Sequence, residues 1–518
     1  MTTTEAEPLL PRPRATVLDR WTARLASDPR IARLWRWLAP TLITLLAGVL
    51  RLANLGNPES LVFDETYYVK DAWSQWNLGY AATWPDEADA RFSSGETDIF
   101  DTEGSFVVHP PLGKFFIGLG MWIFGADSAF GWRVAVALFG TATVLVLYLV
   151  ARSLSGSLVF ASVASGLLAV DGLSIAMSRV ALLDGIFTFF TLLTVWFLLL
   201  DRRKTLPRLT RELALRTING EGPGWGPVLW RRPWLLAAGA AVGAATAVKW
   251  SGLYVAAAFG IWLVVTDALT RRRGRVIFWP TDAAFRQGPV TFLLFIPIAA
   301  VIYLGSWIGW LATDGGYGRQ TLDEAGALPW IPLPLQNLWD YHAQIYGFHV
   351  GLSSPHGYAA PAWQWPLLTR PTSMHFDHTD GVVENIYAMP NPLVWYASVA
   401  AVLYLVWRFI VTRDWRFALV LTGIIATYVP WLLYPDRTIF QFYTVAIQPF
   451  LILALTFALR DIAGGPSASS HRRQSGQRLV WVFLGVALLL AAFWYPIVSA
   501  MPVPYDFWRI HNWLPSWI

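Results

Sequence analysis

Eleven apolar segments recur along this chain, from 39–55 to 479–500, and no soluble core needs so many. The others lie at 128–150, 157–172, 185–200, 234–251, 252–270, 290–312, 392–411, 417–434 and 438–459, some of them short of a full bilayer crossing. Backbone polar groups in lipid must be satisfied within the segment that carries them, so the segments are read as helices. The expectation is an all-α polytopic membrane protein of about 11 transmembrane helices. Composition agrees, because 55% hydrophobic and 14% charged residues exclude an ordinary soluble domain. With no cysteine, disulfides and thiol nucleophiles are excluded.

The basic balance is almost all arginine, and its placement reads as topology, not as affinity for nucleic acid. Residues 1–38 form a basic segment without a cleavable leader, expected in the cytoplasm, and 39–518 form the membrane domain. Within the segment Asp28 and Pro29 suit an N-cap and first helical position, and Ile31, Leu34, Trp35 and Leu38 share a face, predicting a short surface helix. With the N-terminus inside, the cytoplasmic stretches hold 28 of the 39 Lys and Arg, including Arg271, Arg272, Arg273 and Arg275, as positive-inside bias requires. The C-terminus then lies outside. Two long connections, about 56–127 and 313–391, fall on the outer face and are expected to carry function. The first is acidic and ends in a stretch, 115–125, read as re-entrant or interfacial. The second is rich in Trp, Tyr, His and Pro.

Ionisable groups beside apolar spans are costly and therefore functional candidates. On this topology Arg51, Arg133, Asp171, Arg179, Asp184, Lys249, Asp436 and Arg437 all fall at the outer leaflet. Cations there suit an anionic lipid head group. After the first span, Phe63-Asp64-Glu65-Thr66-Tyr67-Tyr68 sets two carboxylates among aromatic rings, where one of them suits a general base for an acceptor hydroxyl. The run His375-Phe376-Asp377-His378 is too sparse in ligands to define a metal site, and no metal or other cofactor is expected.

These residues are distributed as in the protein O-mannosyltransferases, which the chain resembles along nearly its whole length. The likeness is carried by Arg51, Asp64-Glu65, the segment His109 to Lys114, Arg133 with Gly140, Arg179 with Leu182-Leu183-Asp184, and Lys249-Trp250-Ser251-Gly252. The second outer loop adds His356-Gly357-Tyr358, Trp363, Trp365-Pro366, Arg370-Pro371 and Asn391-Pro392. The resemblance implies a C-type glycosyltransferase (GT-C) architecture. It also implies inverting transfer of mannose from a polyprenyl-phosphate-mannose donor to Ser or Thr of secreted or membrane proteins.

By the same resemblance, Asp64 takes the acceptor proton and Glu65 holds the acceptor or the loop. Arg133 and Lys249 contact the donor phosphate; Arg51, His109, Lys114, Arg179, Asp184 and Arg437 are supporting polar residues. His356, Tyr358, Trp363 and Trp365 line the acceptor or sugar loop. A bacterial plasma-membrane location and a partnership with the protein-translocation machinery complete the expectation. Residues 313–391 are too few for the large insert that eukaryotic relatives carry there, and Gln441-Phe442-Tyr443 stands where relatives often show a Tyr-His-Tyr-like run. Two other readings fit many spans with embedded charge: transfer of a sugar to a lipid or cell-wall glycan, and non-enzymatic transport. Transporters place such charges near the midplane, which favours the transferase.

Overall fold

Asp28 caps a helix, its carboxylate accepting from the N–H groups of Arg30 (2.8 Å) and Ile31 (3.2 Å), but that helix does not stop at a surface segment. In the computed structural model, which describes residues 15–220, 224–323, 326, 328–465 and 467–518, it runs unbroken from Pro29 to Leu52 into the first apolar span. The first fourteen residues of the expected cytoplasmic segment lie outside the described residues. A further helix precedes it, closed by a reciprocal cap in which Asp19 N–H donates to Thr16 Oγ1 (3.0 Å) and Thr16 N–H to Asp19 (3.3 Å).

In chain order the helices are α1 (Val17–Ser27), α2 (Pro29–Leu52), α3 (Glu65–Leu78), α4 (Ala88–Ser93), α5 (Leu112–Phe124), α6 (Ala129–Ser155) and α7 (Leu158–Ala169). Next come α8 (Gly172–Ala176), α9 (Leu183–Ile218), α10 (Pro233–Val248), α11 (Ser251–Arg273), α12 (Trp279–Thr281), a π-helical turn (Asp282–Gln287) and α13 (Gly288–Ser306). The rest are α14 (Ile308–Ala312), α15 (Leu333–Gly351), α16 (Pro392–Thr412), α17 (Trp415–Tyr428), α18 (Gln448–Ala463), α19 (Ser470–Val498) and α20 (Tyr505–Arg509). Among the described residues seven helices are long and apolar enough to cross a bilayer. The four remaining expected spans fall on the short α7, α10 and α18 and on α2, which has arginines near both ends.

Burial explains the short ones. Nearly every residue of α18 from Gln448 to Leu459 is buried, so this helix meets protein on most of its surface and needs no lipid-length apolar surface. The stretch expected to be re-entrant is α5, which packs on α3 and α6 and buries Lys114, Ile117, Gly118 and Met121. The helix of the apolar segment expected at 185–200 runs on to Ile218 as α9, whose Leu209 and Leu213 pack on Leu229 and Val276.

The fold is not wholly helical. In the second long connection β1 (Thr372–Thr379) pairs antiparallel with β2 (Val382–Ala388), and β3 (Val503–Pro504) adds to the far side of β2. Asp380 (φ 53°) and Gly381 (φ 78°) make the two-residue turn, both in the left-handed region that such hairpins demand. His375 and His378 therefore lie on a strand, His378 stacking on Tyr505, and not on a loop.

Candidate functional site

Asp64 and Glu65 are adjacent but meet opposite environments. Glu65 opens α3, is fully buried, and its carboxylate accepts four hydrogen bonds: from Arg133 Nε (2.9 Å) and Nη2 (2.8 Å), and from the N–H groups of Ala181 (2.7 Å) and Val62 (3.0 Å). Arg133, equally buried on α6, gives its remaining hydrogens to the carbonyls of Leu55, Pro58 and Ser60. The pair thus ties the chain entering α3 to α6 and to the turn before α9. Neither group has capacity left for a ligand, so the arginine that the resemblance assigned to the donor phosphate sits in a structural clamp.

Asp64, by contrast, is the N-cap residue of α3 with no hydrogen bond from its side chain to the helix. Phe63 before it takes a left-handed φ of 49°, a turn that only surrounding packing sustains in a bulky residue. Edge-on contacts of the Phe63 ring with His356 (5.8 Å), Phe440 (5.6 Å) and Phe442 (5.6 Å) supply it. Burial pushes the Asp64 carboxyl up to about 6, with Lys249 pulling it down and Asp184 adding to the rise. A carboxylate so placed is ionised at neutral pH yet basic enough to take a proton.

Lys249 lies on the two-residue break between α10 and α11, in extended backbone. Gly252 permits that break: a Cβ there would stand 2.5 Å from the backbone nitrogen of Thr246. The Lys249 ammonium donates to both carboxylate oxygens of Asp184 (3.0 Å each) and lies 4.8 Å over the Tyr443 ring. A second cation, Arg437, donates through Nη2 to His349 Nδ1 (3.0 Å) and lies over Trp431. His349 in turn donates through Nε2 to the Val108 carbonyl (2.8 Å), which fixes its tautomer. Burial and then Arg437 push its pKa down to about 4, so the ring stays neutral and serves as an acceptor. Arg437 Nε is buried without a partner.

Lys249, Arg437, His109, His349, Tyr443 and Tyr254 line one cavity of about 240 Å³. It shares Trp250, Leu253 and Tyr346 with a larger cleft of about 600 Å³, whose walls are almost wholly apolar residues of α11, α13 and α15. Two cations at the head of an apolar cleft match an amphiphile with an anionic head.

The other expected site residues divide. Arg51 is fully buried and donates to the carbonyls of Ala47, Leu168 and Ala169 and to the hydroxyls of Ser174 (2.7 Å) and Ser178 (3.2 Å). A Cβ on Gly140 would stand 2.0 Å from that Ser178 oxygen, which accounts for the glycine. Arg179 donates to the carbonyls of Arg51, Ala53, Asn54 and Ser499, capping the ends of α2 and α19. Lys114 is paired with Asp71 at 3.5 Å in the core. Of the loop residues, His356 touches Phe63 beside Asp64, and Tyr358 receives the Arg370 guanidinium over its ring. The two tryptophans part company: Trp363 is exposed, while Trp365 is buried with its indole N–H on the Ala360 carbonyl (2.8 Å). Among the described residues no three His, Asp or Glu side chains stand together as a metal site.

His349, Trp431, Tyr434 and Tyr254 were not singled out as site residues in the sequence. Nothing local marks the His349 to Arg437 bond, which spans 88 residues; only the shared face of His342 and His349, seven apart on α15, hints at it.

Two family models match: the C-terminal four-transmembrane region of protein-O-mannosyltransferase over residues 334–517, and dolichyl-phosphate-mannose-protein mannosyltransferase over 108–208. A polyprenol-phosphate-mannose–protein mannosyltransferase of Mycobacterium tuberculosis is 33% identical over 94% of this chain and 92% of its own length. That of Mycolicibacterium smegmatis is 32% identical over 93% of each. Among solved structures, the S. cerevisiae protein O-mannosyltransferase Pmt1-Pmt2 complex bound to the sugar donor superposes with a TM-score of 0.70 at 15% identity, covering 93% of this chain and 92% of that one. The fold is therefore GT-C, and by identity and coverage the chain belongs to the bacterial polyprenol-phosphate-mannose–protein mannosyltransferases.

Proposed function

We propose that this chain transfers mannose from a polyprenyl-phosphate-mannose donor to a Ser or Thr hydroxyl of a protein, with Asp64 as the base. The contrast between Asp64, uncapped and held near 6, and its saturated neighbour Glu65 carries the assignment. The acceptor oxygen attacks the sugar carbon, its proton passes to Asp64, and the bond from that carbon to the phosphate oxygen breaks. Configuration inverts, since the displacement is single. Negative charge grows on the departing polyprenyl phosphate, where Lys249 and Arg437 stabilise it more in the transition state than before. The apolar cleft beside Trp250 and Tyr346 receives the first units of the polyprenyl tail. On this reading the site faces the extracytoplasmic side of the plasma membrane, the N-terminus is cytoplasmic, and acceptors arrive from the translocation machinery.

Membranes containing the chain, given labelled polyprenyl-phosphate-mannose and a Ser/Thr-rich peptide, are expected to label the peptide. Label appearing only in lipid or glycan would transfer the reading to a different acceptor class.

The acidity of Asp64 sets the pH dependence. A base must be ionised to act, so the transfer rate should climb roughly tenfold per pH unit below about 6 and level off above it. A profile flat between pH 4.5 and 7 under saturating donor would contradict the assignment.

Arg437→Met removes one of two cations without leaving a buried carboxylate unpaired, because Arg437 is held by a neutral histidine. Loss of one preorganised charge is expected to slow transfer by about 10²-fold or more, with donor affinity reduced less than the rate. Weaker donor affinity with an unchanged rate at saturating donor would mean that Arg437 only binds.

A further inference from the structure

At the end of the helix bundle away from Asp64, α16 and α19 both pack along α18 but barely on one another, leaving a cleft between them. Its volume is about 540 Å³, within the roughly 300–1,000 Å³ of small-molecule binding sites. Small residues make the room: Ala397, Ala400 and Ala401 on α16 and Ala458 on α18, facing Leu479 and Phe483 of α19. At its polar end α19 closes onto α18, where a Cβ on Gly476 would stand 2.0 Å from the Ile462 carbonyl.

The mouth is charged. Arg472 reaches across it from α19 to donate to the Ile462 carbonyl (2.9 Å). Asp461 accepts from Tyr404 (2.9 Å), pairs with Arg408, and lies 3.5 Å from Arg460. Arg472 at the rim and Arg408 beside Asp461 thus leave one positive charge in excess of the carboxylate at the opening of an apolar slot, with Arg460 lying over the Phe160 and Phe457 rings. The same end carries α1, which buries none of its residues, presents Arg20 and Arg24, and is tied to α19 through Asp19, with Arg473 and Gln477 as donors. Exposed basic helices with apolar faces lie at head-group depth.

We propose that this cleft holds one acyl chain of an anionic glycerophospholipid from the leaflet opposite the transfer site, its phosphate on Arg472. An acyl chain fits the part of the slot walled by alanine, leucine and phenylalanine, and the unbalanced Arg472 guanidinium at its mouth selects an anionic head over a zwitterionic one. The site would join α16, α18 and α19 where their side chains leave this gap.

Full-length protein in mild detergent, titrated with phosphatidylglycerol or phosphatidylcholine of identical chains and read by native mass spectrometry, tests this. One retained phosphatidylglycerol is expected, preferred about tenfold over phosphatidylcholine. Ala458→Trp should lower retention at least tenfold and Arg472→Ala about fivefold, while Leu489→Trp, on the outward face of α19, changes nothing. Unchanged mannose transfer by Ala458→Trp would show that it folds. Should it fail to fold, Arg472→Ala decides alone. Equal retention of the two lipids, or retention indifferent to both cleft variants, would overturn the proposal. So would a dimer that Ala458→Trp dissociates, which would identify the occupant as another transmembrane helix.

Discussion

Glu65→Ala is expected to remove the folded protein, not merely slow it. The substitution leaves the Arg133 guanidinium at zero exposure without its carboxylate, and breaking a buried pair from one side costs about 3–5 kcal/mol. That is a large part of the stability of a typical domain. Two backbone donors, Val62 and Ala181, lose their acceptor at the same time. Pairing the change with Arg133→Met should restore only part, because the carbonyls of Pro58 and Ser60 would still lack the donors that Arg133 gave them. Size-exclusion yield and thermal melting in detergent check both. A Glu65→Ala protein that is stable but inactive would place Glu65 in catalysis.

Asp64→Asn should do the reverse: keep the fold and abolish transfer. The amide matches the carboxylate in volume and cannot take the acceptor proton, so the rate is expected to fall by about 10²- to 10⁴-fold. The sign of the stability effect follows from the acidity. A carboxyl whose folded-state value is raised to about 6 binds its proton more tightly folded than unfolded, so ionising it at neutral pH disfavours the fold. The neutral asparagine escapes that cost, and its melting temperature at pH 7 should equal or exceed that of the parent. A variant that melts lower would mean Asp64 has a structural partner the fold depends on.

Periodicity and charge placement were enough to find the apolar helices and the cap at Asp28, because each is a local consequence of composition; the break between α10 and α11 falls at Lys249 and Trp250, ahead of the expected boundary between 251 and 252. They did not separate the cations by role. Arg51, Arg133 and Arg179 sit at helix ends just as Lys249 and Arg437 do, and only the meeting of helices in space makes the first three donors to carbonyls and to Glu65. Trp363 and Trp365 look alike in sequence, yet a turn of 3-10 helix sends one outward and one into the core. The hairpin was legible and missed: Asp380-Gly381 between apolar-alternating runs is a strong signal for a two-residue turn. The extension of α9 was also readable, from the leucines at 206, 209, 213 and 215 among good helix formers.

The most direct measurement is a single-turnover rate of mannose transfer to a Ser/Thr-rich peptide by purified parent and Asp64→Asn, with donor binding measured on the same preparations. Equal donor affinity and a rate lower by at least about 100-fold in the variant are expected. Transfer at the parent rate would contradict the assignment and remove Asp64 as the base.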